Sequence, residues 1–164
     1  RIAPPSIAAL LIAKVTIAAE QDVEVTIDVT SHLDQPTLNP QTLITIIGNL
    51  INNAVEAVAG QPHPRRVSVH ISDDAGEAFI SVTDTGPGVG PDAIKEIFMD
   101  GYTTKTPRGE MRRGLGLALI HRLIHRAGGS ITVSPGPGAR FEVRLPIPDS
   151  ITSAPALTTR EGLR

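Results

Sequence analysis

Between Gln41 and Ala59 the chain carries a helix pattern that is apolar along most of its length, with two carboxamides set into it. Leu43, Ile44, Ile46, Ile47, Leu50, Ile51, Ala54, Val55 and Val58 recur at helical spacing, and Gly60 supplies a C-terminal stop. Asn49 and Asn53 are four residues apart, so their side chains project from one face, one turn from each other. Two polar groups in so apolar a helix are costly unless each meets a partner or opens onto a cavity. A bond to a neighbouring loop would serve as well as a ligand, since buried asparagines usually find backbone partners. Asn52 falls off that face and reads as a solvent residue.

The remaining segments supply what such a helix must be buried against. Ser6 to Gln21 has helical spacing after Pro4-Pro5, and Val23 to Val29 alternates as a half-buried strand. Ser31 to Pro40 is a polar loop. Two strands follow, Arg66 to Ser72 and Glu77 to Asp84, joined by the turn Asp73-Asp74-Ala75-Gly76. A short helical piece is expected from Asp92 to Phe98, then a long loop from Asp100 to Arg113. Leu115 to Ala127 is helical, and Ser130 to Ser134 pairs with Arg140 to Leu145 as a closing hairpin. That order predicts an α+β fold, a layer of helices on one face of a mixed sheet.

At 164 residues the chain has room for one domain with a real core. With 40% hydrophobic and 20% charged residues it reads as globular, and a net charge of -2 gives no nucleic-acid footprint. The absence of cysteine rules out disulfides and zinc–thiolate sites. No apolar run reaches bilayer length on this reading, and the start lacks a signal-peptide pattern. Because it begins at Arg1 rather than methionine, the chain is expected to be a piece of a longer protein.

Two further features carry chemistry. Asp84-Thr-Gly86-Pro-Gly88-Val-Gly90 follows a strand directly. A carboxylate there can accept a hydrogen bond from the exocyclic amine of adenine, and the glycines let the backbone approach a ligand. Arg113-Gly114-Leu115-Gly116-Leu117 stands where a loop enters a helix, a place that favours an anion. Each signal alone is weak, since most glycine runs are turns. Between them lies Ile97-Phe98-Met-Asp-Gly101-Tyr102-Thr103-Thr104-Lys105, where Phe98 can anchor a loop and Thr104 and Lys105 can reach a terminal phosphate. A carboxamide oxygen is a neutral, hard donor suited to magnesium.

Asn49–Asn53, Asp84–Gly88, Phe98–Lys105 and Gly114–Leu117 resemble the N, first glycine, F and second glycine boxes of the GHKL ATPases, which include gyrase, a heat-shock chaperone ATPase and the histidine kinases. Gly48-Asn-Leu-Ile-Asn-Asn-Ala-Val-Glu-Ala57, Phe98 to Lys105 and Arg113 to Ala118 are most similar to the citrate and dicarboxylate sensor kinases. The resemblance spans roughly residues 5–146 and implies a Bergerat-type two-layer α/β sandwich. It implies that Asn53 ligates Mg2+, that Asn49 sits near the phosphates of ATP, and that Asp84 reads adenine beside Gly86 and Gly88. Gly114, Leu115, Gly116 and Leu117 would meet phosphate, the loop between Asp100 and Arg113 would be a lid, and Asn49 and Lys105 would act in transfer. Residues 1–21 would end a dimerisation helix, 22–148 form the catalytic domain, and 149–164 a disordered tail. Implied partners are the histidine-bearing helices of the same receptor, a response-regulator receiver domain and a second copy, on the cytoplasmic side of a membrane. The pattern departs at Ala139, where many relatives carry a threonine. His32, His63, His70, His121 and His125 lack the helical histidine–glutamate context of a phosphoacceptor, which is therefore expected outside this piece. A non-catalytic nucleotide-binding or anti-sigma-like module on the same fold is the alternative.

Overall fold

A computed structural model describes residues 1–34, 37–90, 110–134 and 136–148, with the backbone alone for 110–115. The described elements are α1 (Pro5–Glu20), β1 (Glu24–Ile27), α2 (Pro40–Ala59), β2 (Arg66–Asp74), β3 (Glu77–Asp84), α3 (Glu110–Arg126), β4 (Ser130–Ser134) and β5 (Arg140–Pro146). The expected helix at Asp92–Phe98, most of the long loop and the tail 149–164 lie outside the described residues. The strands form one sheet in the order β1-β2-β3-β5-β4, with β1 parallel to β2 and every other pair antiparallel. Helix α2 packs on β2 and β3, α1 packs on α2 and β1, and α3 packs on α2 and β4. Mixed sheet and one-sided helices agree with the sequence expectation.

α2 starts where its cap is. The Asn39 side chain accepts from the amides of Gln41 (2.9 Å) and Thr42 (3.4 Å), and Pro40 occupies the first helical position. Its apolar stripe goes inward: Leu43, Ile46, Ile47, Leu50, Ile51, Ala54, Val55 and Val58 are all buried, while Ile44 is only partly so. Each fully buried Leu or Ile contributes about 1.5–3 kcal/mol. Contrary to the sequence reading, this 20-residue helix is long and apolar enough to cross a bilayer by length and composition. Its apolar face is instead spent on the sheet and on α1, which makes it the core helix.

The sheet's inner face supplies Val25, Val67, Val69, Ile71, Ile80, Val82, Phe141, Val143 and Leu145, while Thr26, Ser68, Thr83 and Arg144 face solvent. This is the period-two alternation of a sheet covered on one side. The β2–β3 turn is tighter than the four residues expected. Only Ala75 (φ 52°) and Gly76 (φ 78°) join the strands, the left-handed pair that a twisted hairpin favours.

The ends of β1 and α3 differ from the sequence reading, while α2 stops at Gly60 as expected but by another route. β1 stops at Ile27 rather than Val29, because the Asp28 side chain turns back to accept from the Thr30 amide and Val29 stands 98% exposed. Gly60 ends α2 with φ -97°, outside the left-handed region, and Pro62 and Pro64 keep the chain from continuing as helix. α3 begins at Glu110, not near Leu115. Glu, Met and Arg at 110–113 are strong helix formers, and they extend the helix through the glycines.

Candidate functional site

Three elements meet at one end of the sheet. On α2, Asn49, Asn53 and Ala57 lie at successive i, i+4 positions and so share a face, spread over roughly 12 Å of helix. Asn49 is half-buried, and its Nδ2 donates to the carbonyl of Thr45 at 2.7 Å. Its Oδ1 faces α3: a Cβ built at Gly116 would lie 2.9 Å from it. At the other end of the row, a Cβ built at Gly86 would lie 3.0 Å from the Ala57 carbonyl. Asn53, buried to 8% exposure, is therefore bracketed by α3 on one side and by the turn after β3 on the other. Asn49 and Asn53 lie one turn apart on one face of α2, the placement their spacing predicts. Asn52 points elsewhere, taking a 2.6 Å bond from Lys14 Nζ on the α1 side.

Asp84, the last residue of β3, is 4% exposed. Its Oδ1 accepts from the Gly86 amide at 2.8 Å and from the Ala139 amide at 3.3 Å. Its own amide donates to the Ala139 carbonyl at 2.9 Å, which carries the β3–β5 pairing one step past Thr83–Arg140. Two main-chain donors on one oxygen suit an ionised carboxylate, because charge-assisted bonds of this kind offset its burial. The turn that follows is fitted against the β4–β5 connection. Gly88 has φ 78°, and a Cβ on it would lie 2.2 Å from the Gly136 carbonyl and 2.8 Å from that of Gly138. Only glycine allows this approach.

On α3, Gly116 is half-buried and Leu117 is in the hydrophobic core, so Leu117 has only its main chain to offer a ligand. Because the helix starts at Glu110, the helical amides without an intrahelical acceptor are those of 110–112. Gly114, Leu115 and Gly116 therefore do not form the free helix end that the sequence suggested. Thr104 and Lys105, with Phe98, lie outside the described residues.

Local reading missed Ala57, Gly136, Gly138 and the amide of Ala139. The Gly138–Ala139 contacts cross more than fifty residues of chain, and Pro135-Gly-Pro-Gly138 looks from sequence like any hairpin turn. A separate open cavity of about 600 Å³ at the α1–β1 joint, lined by Asp22, Glu24, His63, Arg65 and neighbours, shares no residue with this site.

Residues 38–149 match the family described as histidine kinase-, DNA gyrase B-, and HSP90-like ATPase. The chain is 41% identical over 142 residues to the sensor protein CitS of Bacillus subtilis (strain 168), covering 84% of this chain and 25% of that protein. It is 37% identical over 150 residues to the sensor histidine kinase DcuS of Escherichia coli (strain K12), covering 89% of this chain and 27% of the relative. It thus spans about a quarter of the length of these curated relatives. A crystal structure of full-length ShkA in complex with AMPPNP aligns with a TM-score of 0.71 at 31% identity, over 87% of this chain and 29% of that one. The mycobacterial sensor histidine kinase MprB shares the fold, with a TM-score of 0.66 at 23% identity over 85% of this chain and 95% of that one. The carboxamide row, the clamped aspartate and the glycine turns are thus found in a chain that belongs to the family of histidine kinase-, DNA gyrase B- and HSP90-like ATPases.

Proposed function

We propose that the domain binds Mg·ATP between α2, the Asp84 turn and α3, and is the catalytic domain of a sensor histidine kinase. The observation that carries this is the buried Asp84 carboxylate, fixed by the Gly86 and Ala139 amides on the same side of α2 as Asn49 and Asn53. In this reading Asp84 accepts a hydrogen bond from the exocyclic amine of adenine. The row Ala57, Asn53, Asn49 then runs from the base toward the phosphates. A buried carboxamide fits magnesium, which takes hard oxygen ligands and shares them with phosphate and water. Asn53 is the residue to hold the ion, which supplies charge neutralisation at the phosphates. Thr104 and Lys105 are assigned to the terminal phosphate by their position in the sequence alone.

Asn49 decides what kind of ATPase this is. A carboxamide cannot take a proton from water, so the site lacks the general base that hydrolysis needs at that position. Positioning without a base suits transfer to a nucleophile brought in from outside. In the full-length protein a histidine nitrogen attacks the γ-phosphorus. The P–N bond forms as the bond to the β-phosphate oxygen breaks, and ADP leaves. Using Gly114, Leu115 and Gly116 for phosphate requires the first turns of α3 to open, which links phosphate binding to the lid between Asp100 and Arg113.

α1 is assigned to the end of a dimerisation helix. It carries few charges, and Ile12 and Ile17 stand 69% and 50% exposed, Ile17 at the rim of a cleft shared with α2. An apolar helix of this kind wants a second partner, here the helices of a homodimer that bear the histidine. A receiver domain that accepts the phosphoryl group, and a place on the cytoplasmic side of a membrane, complete the proposal.

Isothermal titration with a non-hydrolysable ATP analogue tests binding, and the absence of magnesium-dependent heat would count against it. Incubation of labelled ATP with a separate histidine-bearing helical fragment should yield phosphohistidine. Nucleotide binding without any such product would leave a regulatory module instead.

A further inference from the structure

Gly138 and Gly76 have almost the same φ, 77° and 78°, in the left-handed range. Their surroundings differ completely. A Cβ at Gly76 would meet nothing within 4 Å. One at Gly138 would lie 2.1 Å from the carbonyl oxygen of Asp84, 3.2 Å from its carbon and 3.7 Å from Thr85 Cα. Those are main-chain atoms, which cannot rotate away as the end of a side chain can. Gly138 is also buried, and the next amide, that of Ala139, donates to Asp84 Oδ1.

We infer that Gly138 is a positioning residue for base recognition: the β4–β5 turn sets the direction of the Asp84 carboxylate, and the missing Cβ at 138 is what lets it do so. The inference rests on the reading that Asp84 accepts from the adenine amine, and extends it to the β4–β5 turn. A side chain at 138 pushes the Asp84 peptide away from β5. The carboxylate moves with it, because Oδ1 is tied to Ala139 on the far side of the same contact. Hydrogen bonds weaken steeply once their angle opens, so a shift of this kind reduces base discrimination before it removes the pocket.

The experiment compares ATP with purine riboside triphosphate, which lacks the exocyclic amine, by titration on the wild type, Gly138→Ala and Gly76→Ala. The wild type should prefer ATP by about tenfold or more, the range for a hydrogen bond to a charged group. In Gly138→Ala that preference should shrink to less than about threefold. Gly76→Ala carries the same backbone strain far from the site, and should lower the thermal midpoint while keeping the wild-type ratio. A wild type with no preference refutes the role of Asp84 itself. A Gly138→Ala protein with the full preference overturns the positioning role while the Asp84 reading stands. Should Gly138→Ala fail to fold, an amide-to-ester replacement at Ala139 removes only the donor to Asp84 Oδ1. It should narrow the ratio as well, and an unchanged ratio there would sink the proposal.

Discussion

The two ends of the site are held by different means. Around Asp84 the parts that meet are main chain: two amides on one carboxylate oxygen, and glycines whose missing Cβ atoms make room for carbonyls of Ala57, Asp84 and Gly136. Around Asn49 a carboxamide side chain on α2 faces a glycine on α3. Among the described residues Asn49 is tied to its own helix through Thr45, and a Cβ at Gly116 would meet the tip of that carboxamide. An end built from backbone cannot relax, whereas one built from rotatable side chains can. The division suits a site in which the base stays put while the phosphates change during turnover.

Asp84→Ala should show the largest effect, because it breaks the rigid end. It leaves the amides of Gly86 and Ala139 without their acceptor, a cost of about 1–3 kcal/mol each way that stability and binding share. Thermal denaturation should shift down and affinity for the ATP analogue should fall by about a hundredfold. An unchanged affinity in a folded protein would mean that the purine is read elsewhere. Asn53→Ala comes next and tests the adaptable end. Affinity measured with magnesium should drop by at least about tenfold, the low end of what a lost supporting group costs a metal site. Affinity measured with EDTA should stay near the wild type, and equal losses in both buffers would break the assignment of Asn53 to the ion.

That contrast also explains what could be read from sequence. The carboxamide pair was legible because both residues sit on one helix, where spacing alone fixes their relation. Asp84 and its glycines were legible as a strand end followed by a turn. The β4–β5 contribution was not, because Gly138 and Ala139 act through a tertiary contact that no local period encodes. Helices and strands match the sequence pattern wherever it is strongly apolar, in α2, β2, β3 and β5. They slipped where local chemistry overrode it. Asp28 cut β1 short through its own side chain, and the helix-forming residues before Gly114 carried α3 back past the glycines.

Gly116→Ala sets the two kinds of construction against each other with opposite signs. Gly116 lies inside α3, where alanine is favoured over glycine by about 0.5–1 kcal/mol. The added Cβ would press on Asn49 Oδ1, a flexible group that can move. The thermal midpoint should therefore hold or rise while nucleotide affinity falls by about fivefold, the equivalent of roughly 1 kcal/mol. Combining it with Asn49→Ala should give less than the sum of the two losses, since the clash is then gone. A lowered midpoint, or strict additivity, would mean that α3 and α2 are as stiffly fitted here as the Asp84 end is.

The smallest expected effect lies away from both ends. Where the chain after β1 meets the end of β2, His32 Nδ1 lies 3.0 Å from the Thr30 carbonyl and Nε2 lies 3.1 Å from Asp74, with Asp73 at 3.7 Å. Both ring nitrogens face acceptors, and only the imidazolium can donate to both. The Thr30 carbonyl first, and then the Asp74 carboxylate, raise its pKa above the usual histidine value. The stabilisation from this contact is thus fully present below about pH 6.5 and is lost as pH rises through the higher folded value. Asp28, lowered chiefly by its bond from the Thr30 hydroxyl, behaves oppositely and loses its contribution only in acid, so it does not interfere near neutrality. Between pH 6 and pH 8 the wild-type midpoint should fall further than that of His32→Gln. The two proteins should bind the nucleotide equally at each pH, because the His32 contacts share no residue with the site. Parallel midpoints would remove the histidine clip, and a pH-dependent difference in affinity would show that the hairpin and the site are coupled after all.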